Sequence, residues 1–374
     1  MRILYHCACA EGGLAEYSLR QAAALARQSG VELLWHAPAS LGLPADVKVV
    51  EPVASPRNRK RNKLSRAAEF VRATIQPIHA LAREVRRTKP DVVVLSAWGE
   101  YFAPLWAPSL RALQRKGVRF GAVIHDPVRD NVLGPLPWHR WSVREAYSFL
   151  DVAFTHDSSA PNTCGSKKSV RVVQVPHGPY VVPEEVADRV DVRRQLGIPA
   201  EAKVLLSFGH IRDGKNLDQV IGALRSLPEF HLVIAGREQS QGQKPAEYYR
   251  GLANTLGVAE RCHFHTDYIP NKDVWRFFRA SDLLVLTYSP SFRSASGVLN
   301  VNSQFGLPVL VSSGRSPLLD AVETYSLGTV IDIPDAELIA RAVPAALNVT
   351  GDWSRFRAEN SWDRNAEKVV EALK

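Results

Sequence analysis

The chain has few of the features that mark membrane, disulfide-rich and zinc-binding proteins. Its 374 residues contain one methionine and four cysteines, and no apolar run approaches the roughly 18 residues that a membrane-spanning helix needs. The cysteines lack zinc-ligand spacing, which favours structural or incidental thiols over a metal site; they are Cys7, Cys9, Cys164 and Cys262. The opening MRILYHC has the length of one strand and no signal-peptide layout, so we expect a cytoplasmic protein.

Two nucleotide- and metal-binding motifs are also missing. The chain has no G-x-G-x-x-G fingerprint, which weakens a nicotinamide-binding hypothesis. It has no Asp-x-Asp pair either, so we predict no metal site. The hydrophobic fraction of 45% and the charged fraction of 23% are those of a soluble globular protein. The length predicts two domains or slightly more.

Positive charge is concentrated in the first half. Residues 1–180 hold 25 Lys and Arg against 14 Asp and Glu, whereas the remainder holds 22 against 24. Much of the excess lies in SPRNRKRNKLSR, which contains Arg57, Arg59, Lys60, Arg61, Lys63 and Arg66. Such a cluster suits nucleic acid, an anionic membrane surface or an anionic substrate, and a solvated basic loop is the alternative.

Apolar runs of strand length alternate with amphipathic helical segments along both halves of the chain. This alternation predicts an α/β protein of two Rossmann-like, doubly wound parallel-sheet domains facing a cleft, with ligands at the carboxyl ends of the strands. We expect an N-terminal domain over 1–180, a second domain over 181–355, and a C-terminal helix over 356–374 that packs back on the first. The helix predicted in SRAAEFVRATIQPIHALAREVRRTK should kink or break at Pro77.

The stretch YSPSFRSASGVLNVNSQFGLPVLVSS, residues 288–313, contains no acidic residue. Its pattern predicts a loop, a short helix that ends at Gly306, and a buried strand. A helix start near Gly297 presents backbone N–H groups and a partial positive charge, which suit an anion.

Seven segments, in their order along the chain, resemble the family 4 glycosyltransferases, which have the GT-B fold of two facing Rossmann-like domains. They are GGLAEYSLRQAAALARQSGVEL, IHD, VPHG, LLSFGHIRDGKNLDQVIGAL, LVIAGRE, VWRFFRASDLLVLTYS and FGLPVLVS. The resemblance covers essentially the whole chain. It implies transfer of a sugar from a nucleoside diphosphate sugar to a hydroxyl acceptor with retention of configuration, with the nucleotide sugar as co-substrate and no cofactor.

The resemblance places the donor's diphosphate beside a basic pair that follows the strand ending at Gly209. The family's first basic residue directly follows the glycine; here His210 takes that place, and Arg212 lies two residues further on. Together with Lys215, Arg212 would neutralise the charge that develops on the leaving nucleoside diphosphate. An ordinary basic turn is the alternative.

Two later strand ends match other donor contacts of the family. Gly236, in LVIAGRE, would let a nucleotide approach the backbone because it has no side chain. In HTDYIP, the segment Asp267, Tyr268 and Ile269 matches the position whose backbone reads the nucleobase edge; an ordinary β-turn is the alternative.

The family carries two glutamates in the stretch that is free of acidic residues here. The second glutamate binds the ribose hydroxyls, and the first lies near the transferred sugar. Alignment on Gly297 puts Ser294 and Asn302 in these two places, whereas alignment on Gly306 puts Val301 in the second. In either alignment both carboxylates are absent, which puts donor choice and catalysis in question.

Polar groups in the same stretch could still bind a nucleotide. Asn302 or Asn300 could hydrogen-bond a ribose diol through the side-chain amide. The groups suited to the diphosphate are the side chains of Ser294 and Ser296 and the amides of Gly297 and Val298.

In the first half, Gly12 and Gly13 follow the first strand, where the family places a glycine loop beside donor phosphate and acceptor. His125 and Asp126 follow another strand in VIHDPV. Family histidines at this position contact the transferred sugar or the acceptor, so His125 could orient a hydroxyl or accept its proton. A packed or hydrogen-bonded bystander is the alternative.

Aromatic and polar side chains after a third strand suit an acceptor. Trp98, Glu100 and Tyr101 in SAWGEYF could line a sugar pocket, and a core role for Trp98 is the alternative. His156 and His177 recur in the same strand-end context, and we expect a structural role for His177.

The sequence therefore predicts a metal-independent hexosyltransferase, acting on a lipid-linked acceptor or a polysaccharide precursor, with peripheral membrane contact through residues 57–66. A non-catalytic sugar-nucleotide binder is one alternative. A sugar-nucleotide epimerase of the same fold is another, although the missing glutamates disfavour it. No nucleic acid is expected, because the basic run lacks interleaved aromatic residues and a binding motif. The base, the sugar, the acceptor and the oligomeric state stay open.

Overall fold

The computed structural model divides into two compact units, Met1–Gly178 with Asn360–Lys374, and Pro179–Glu359. The C-terminal segment thus joins the first unit from Asn360 onwards, four residues later than expected. For residues 63–70, 72 and 73 only the backbone is described. The described residues are 1–42, 47–50, 53, 63–125, 127, 132, 134–156, 160–180, 187–238, 242–292, 295–312 and 314–374.

Each unit contains one parallel sheet. The strands are β1 Arg2–Cys7, β2 Glu32–His36, β3 Lys48–Val49, β4 Val92–Ala97, β5 Arg119–Ile124, β6 Val152–Thr155, β7 Arg171–Gln174, β8 Lys203–Phe208, β9 Phe230–Ala235, β10 Cys262–His265, β11 Leu283–Thr287, β12 Val309–Ser312 and β13 Gly328–Val330. The first sheet has the order β3-β2-β1-β4-β5-β6-β7, and the second has the order β10-β9-β8-β11-β12-β13.

Helices cover both faces of the sheets. They are α1 Gly13–Ala26, α2 Lys63–Thr88, α3 Ala103–Gln114, α4 Leu136–Tyr147, α5 Arg189–Gln195, α6 Leu217–Ala223, α7 Ala246–Thr255, α8 Val274–Ala280, α9 Gly297–Asn302, α10 Pro317–Thr324, α11 Ala336–Ala346, α12 Trp353–Glu359 and α13 Trp362–Leu373. None of the helices within the described ranges is long and apolar enough to cross a membrane.

The strands of the first sheet are apolar at successive positions because both of its faces are buried. In β1, Ile3 and Tyr5 pack in the core formed with α1 and α13. Leu4, between them, packs in the core formed with α2, α3 and α4. The predicted α/β class with two doubly wound parallel sheets is confirmed.

Helix α2 runs from Lys63 to Thr88 through Pro77, so the predicted break at this residue is wrong. A proline inside a helix removes one backbone hydrogen bond and crowds the preceding turn. Here Ile78, Leu81 and Val85 of the same helix are buried in the core. Burial of this apolar face stabilises the helix across the proline.

In both sheets the strand order reverses beside the first strand of the unit, between β1 and β4 and between β8 and β11. Open α/β sheets bind ligands at this reversal, outside the carboxyl ends of the strands. The loops that follow these four strands are therefore the places to look for a site.

Candidate functional site

The loop after β8 folds Lys215 back onto the end of its own strand. Gly209 has a φ of 94°, a one-turn 3-10 helix covers Asp213–Lys215, and Asn216 is left-handed with a φ of 49°. Lys215 is 7% exposed, and its Nζ donates a hydrogen bond to the carbonyl oxygen of Phe208. The chain turn therefore fixes one ammonium group at the carboxyl edge of the sheet.

Burial, followed by the charge of the nearby Arg212, lowers the pKa of Lys215 to about 7. Near neutral pH the ammonium form is thus only partly populated. An anion bound beside Nζ would favour the charged form and raise this pKa.

Helix α9 begins next to the same ammonium group. A Cβ atom at Gly209 would lie 3.2 Å from Lys215 Nζ and 3.6 Å from Val298 Cγ2. Ser296 is the N-cap, and its hydroxyl accepts a hydrogen bond from the amide of Leu299. The amides of Gly297 and Val298 have no acceptor within the helix. Because α9 has only six residues, these amides and Lys215 matter more here than a helix dipole.

Arg212 lies against an aromatic pair at the end of β11. Its guanidinium carbon is 5.7 Å from the ring centroid of Tyr288 and 5.9 Å from that of Phe292. The two rings stack with centroids 4.1 Å apart. Cation–π contact holds the charge of Arg212 on the same side of β8 and β11 as Lys215. Ser294, the other predicted phosphate contact in this loop, lies outside the described residues.

Gly236 is required for a reason other than the predicted one. A Cβ atom on it would lie 2.4 Å from the carbonyl oxygen of Gly209, and its φ is 142°. The glycine therefore permits close approach of the two chain segments that follow β8 and β9. The predicted approach of a nucleotide to this backbone stays a prediction.

The side chain of Asn302 is held between its own helix and the turn that follows it. It is fully buried, and its Nδ2 donates to the carbonyl oxygen of Leu307 at 2.7 Å. The Nδ2 of Asn300 donates in turn to the carbonyl oxygen of Ser296 at 3.1 Å. The Nδ2 groups of both amides are thus engaged by their own helix and the turn after it, whereas Oδ1 of Asn302 is buried without a hydrogen-bond partner among the described residues. The predicted ribose contact stays a prediction.

The segment after β10 presents backbone at the same sheet edge. Asp267 and Tyr268 are exposed, and Ile269 packs against the core of the second unit. The predicted contact with a nucleobase involves the backbone of these residues and stays a prediction.

The glycine loop after β1 is open. Gly12 has a φ of 87°, and no atom lies within 4 Å of the position that its Cβ would occupy. Gly13 is the first residue of α1. Gly12 therefore permits the left-handed turn into α1, and the position that a side chain would occupy there is open.

Three strand ends of the first unit bring histidines together around Tyr17 of α1. The ring centroids of His125, His156 and His177 lie 4.7, 5.2 and 5.0 Å from that of Tyr17. Trp362 of α13 contacts the same tyrosine at 4.9 Å. We call these five residues the histidine cluster.

The imidazoles of the cluster are neutral at pH 7. Burial, followed by His156 and His177, holds the pKa of His125 well below its ordinary value. Burial lowers the pKa of His156 to about 4 and that of His177 to about 3. Within the described residues, Nε2 of His125 and Nε2 of His156 are buried without a hydrogen-bond partner. A neutral ring with such an atom can accept a proton or a hydrogen bond from a hydroxyl.

A buried polar network fixes the orientation of Tyr17. Gln21 Nε2 donates to the Tyr17 hydroxyl at 3.2 Å and to Asn365 Oδ1 at 2.7 Å. Asn365 Nδ2 donates to the same hydroxyl at 3.1 Å and to the carbonyl oxygen of Pro176 at 2.7 Å. The side-chain amides of Gln21 and Asn365 each donate both of their hydrogens. The network therefore fixes the rotamer of Tyr17 and connects α13 to the histidine cluster.

Sequence reasoning missed Tyr17, Trp362 and Asn365. Tyr17 lies in the segment GGLAEYSLRQAAALARQSGVEL. Its position near the start of α1, just after the glycine loop, could therefore have indicated a role at this sheet edge. Trp362 and Asn365 belong to a helix at the far end of the chain, and no local pattern connects them to the histidines.

The predicted acceptor residues after β4 are mostly structural. Trp98 packs edge-on against Trp106 and Phe149, with ring centroids 5.9 Å apart in both pairs. This packing corresponds to the core role that was the alternative interpretation of Trp98. Glu100 begins a one-turn 3-10 helix and is half-buried. The carbonyl oxygen of Tyr101 accepts a hydrogen bond from Trp138. Asp126 lies outside the described residues.

No group of three or more His, Cys, Asp and Glu side chains within the described ranges could hold a metal ion. All four cysteines are free. Burial raises the pKa of both Cys7 and Cys262 to about 11, so these thiols are protonated and unreactive.

Sequence comparison places the second unit in a known family. A sequence model of the glycosyl transferases group 1 matches residues 188–369. The D-inositol 3-phosphate glycosyltransferase of Mycobacterium marinum is 30% identical over 196 residues, which cover 50% of this chain and 40% of that protein. The chain thus spans less than half the length of the curated relatives that it matches.

Structural comparison extends the similarity to both units. Sucrose-phosphate synthase of Thermosynechococcus elongatus has a TM-score of 0.68 at 17% identity, covering 99% of this chain and 97% of that one. Anabaena Alr3699/HepE, in complex with UDP-glucose, has a TM-score of 0.66 at 14% identity, covering 100% and 99%. These similarities show the GT-B fold. Together with the family model over residues 188–369, they support a family 4-like glycosyltransferase.

The chain departs from the family 4 pattern where the two glutamates would stand. Alignment on Gly297 puts Ser294 and Asn302 there, and Asn302 is fully buried. The two basic residues predicted to hold the donor, Lys215 and Arg212, lie close together, whereas the two family glutamates are absent from the sequence.

Proposed function

We propose that the chain transfers a sugar, in particular a hexose, from a nucleoside diphosphate sugar to a hydroxyl acceptor, with retention of configuration. The observation that carries this proposal is the corner formed by Lys215, Gly209 and Val298. It gathers a buried ammonium group and helix-start amides that have no acceptor within their helix, at the point where the strand order of the second sheet reverses.

The roles in the donor site follow from charge and position. Lys215, the amides of Gly297 and Val298, and the guanidinium of Arg212 would hold the diphosphate and stabilise the charge that develops on it as it leaves. These groups would act in place of a metal ion. The exposed backbone at 267–269 would face the base.

The acceptor role belongs to the first unit. His125 is neutral and has a buried, unpartnered Nε2, so it would orient the incoming hydroxyl or accept its proton. The open glycine loop at Gly12 and Gly13 would lie beside the phosphate and the acceptor. An acceptor that is lipid-linked or a polysaccharide precursor, and peripheral membrane contact through residues 57–66, remain predictions, and residues 57–62 lie outside the described ranges.

The test is a two-step screen on the purified chain. Thermal shift against UDP, GDP, ADP and dTDP identifies the nucleotide, because a ligand that binds the folded state raises its apparent stability. The matching radiolabelled nucleotide sugars are then offered with candidate acceptors. We expect labelled acceptor; absence of both label transfer and donor hydrolysis with every sugar would contradict the proposal.

A second candidate is a sugar-nucleotide binder without catalysis. The absent glutamates and the burial of Asn302 favour it, because the ribose and the transferred sugar lose their usual acidic partners. Slow donor hydrolysis without acceptor separates the two, since a pure binder leaves the nucleotide sugar intact. An epimerase would instead change the sugar while it is still attached to the nucleotide.

A further inference from the structure

Two histidines of the cluster are fixed in the same tautomer by the backbone. Nδ1 of His156 lies 3.2 Å from the carbonyl oxygen of Val175. His125 makes a hydrogen bond with the backbone of Ser96 that favours its protonated form, so the backbone group is the carbonyl. Because Nε2 of His125 has no partner, Nδ1 makes this bond. A carbonyl oxygen only accepts hydrogen bonds, so in both rings Nδ1 carries the proton.

The other ring nitrogen of each histidine is therefore a pure acceptor. The rings of His125 and His156 are neutral at pH 7, and a neutral ring with its proton on Nδ1 has a lone pair and no hydrogen on Nε2. Among the described residues, both Nε2 atoms are buried without a hydrogen-bond partner. A buried acceptor without a partner costs free energy. Two such atoms indicate a hydrogen-bond donor that is not part of the chain.

The two acceptors lie side by side at the carboxyl edge of the first sheet. The ring centroids of His125 and His156 are 5.5 Å apart, and Tyr17 contacts both rings. Nδ1 of His177 likewise lies 2.8 Å from the carbonyl oxygen of Gly178, and its ring centroid is 5.1 Å from that of His156. His125 and His156 are half-buried as whole residues, so part of each is accessible from the sheet edge.

This arrangement selects the chemistry of a ligand. Oxygen atoms of a phosphate or a carboxylate carry lone pairs, and they would meet the lone pairs of Nε2 without a hydrogen between them. A hydroxyl group supplies the missing hydrogen. The corner at Lys215 offers the opposite set of groups, an ammonium and backbone amides that all donate, so the two sites cannot exchange ligands.

We propose that His156 is a second acceptor-binding residue, which together with His125 receives two neighbouring hydroxyl groups of the acceptor. The part of the acceptor that binds here is then a neutral polyol, and any phosphate or carboxylate on the acceptor lies elsewhere. The proposal rests on the proposed sugar transfer for its biological meaning, and its binding step is tested without a sugar donor.

The first test is nitrogen NMR of the full chain with isotope-labelled histidine, assigned with His125→Gln and His156→Gln. We expect both rings to carry their proton on Nδ1. Glycerol and methyl α-D-glucopyranoside are the polyol probes, and they should shift the Nε2 resonances of both rings, since a hydroxyl donates to each. Inorganic phosphate should shift neither.

The second test uses the donor and acceptor that the screen identifies. His156→Phe should raise the KM for the acceptor about tenfold, because one hydrogen bond is lost, and leave the KM for the donor unchanged. An acceptor analogue that lacks the hydroxyl next to the reacting one should bind more weakly to the wild type and not to His156→Phe. His156→Gln keeps an acceptor oxygen and should restore most of the affinity, and His79→Phe, at an exposed position of α2, is the control.

The outcomes separate this proposal from the proposed function. A proton on Nε2 of either ring, no response to either polyol, or a response to phosphate would overturn the role of His156. So would equal discrimination against the analogue by the wild type and His156→Phe, and sugar transfer would stand in that case. If the screen finds no transfer, the proposed function fails, and the NMR titration alone decides whether the two histidines bind a polyol.

Discussion

The sheets of the two units share one strand order over six strands, the first sheet having a seventh, and they place different chemistry at the same edge. After β8 and β11, the second unit presents the cations Lys215 and Arg212. After β5, β6 and β7, the first unit presents three imidazoles that burial keeps neutral. The sheet supplies a row of loops at one edge, and the residues in those loops decide whether the edge attracts an anion or receives a proton.

Removal of the cation from the second unit should have the largest effect. Lys215→Met leaves the diphosphate without its buried ammonium, and loss of one group that stabilises developing charge costs about 3 to 4 kcal/mol, or 10² to 10³ in turnover. Steady-state kinetics with the preferred donor measure it. Lys244→Met, which changes an exposed lysine of the same unit, should leave turnover unchanged; equal losses in both variants would remove Lys215 from the site.

The two strand-end glycines should respond differently to alanine. In Gly236→Ala the new Cβ meets the Gly209 carbonyl, and we expect a loss of about 3 kcal/mol in the free energy of unfolding. In Gly12→Ala the space is open, so only the left-handed backbone costs energy, about 1 kcal/mol. Urea unfolding measures both. An equal loss in the two variants would contradict the different roles given to these glycines.

The histidine cluster should make the protein sensitive to acid. The pKa of folded His156 is lowered to about 4, so its stabilising contribution is complete above the unfolded value of about 6.5 and is lost as pH falls toward 4. His156→Gln should flatten this part of the stability profile by about 2 kcal/mol. His79→Gln, at an exposed position of α2, should leave the profile unchanged, and an unchanged profile in both variants would argue against the buried cluster.

Tyr17→Phe should test the network that joins α13 to the cluster. The variant removes an acceptor shared by Gln21 and Asn365, and two buried amide donors then lose a partner. We expect a loss of about 1 to 2 kcal/mol on unfolding and a fall in kcat, with the KM for the donor unchanged. Tyr248→Phe, at an exposed position, is the control; a change in donor KM instead of kcat would place Tyr17 elsewhere in the mechanism.

The smallest effect should come from Arg212→Gln. Because Arg212 is anchored on Tyr288 and Phe292 and is only half-buried, its loss should weaken nucleotide binding by roughly three- to tenfold. Isothermal titration measures the change. A loss of affinity as large as that of Lys215→Met would contradict the smaller contribution expected of Arg212.

Local patterns in the sequence predicted the sheets, and the resemblance to a known family pointed to Lys215 and Arg212. Strands such as RILYHC and LLSF are continuous apolar runs, and Lys215 follows its strand by only seven residues. Because such signals depend on neighbouring residues, they could be read without the fold.

Contacts between distant segments could not be predicted in this way. Asn365 reaches Tyr17 across 348 positions, and no periodicity reports such a pairing. The helix continues through Pro77 because the core buries that helix, and Asn302 donates to the Leu307 carbonyl. In each case the outcome depends on tertiary packing, which the local sequence does not report.

The central claim is that a nucleoside diphosphate binds beside Lys215 at the start of α9. Its most direct test is isothermal titration of the preferred nucleoside diphosphate into the wild type and Lys215→Met, well below and well above pH 7. The pKa of Lys215 is lowered to about 7, so wild-type affinity should fall as pH rises, with one proton taken up on binding above that value. Lys215→Met should bind weakly without this dependence. Equal affinities in the two proteins, with no proton uptake that depends on Lys215, would contradict the account.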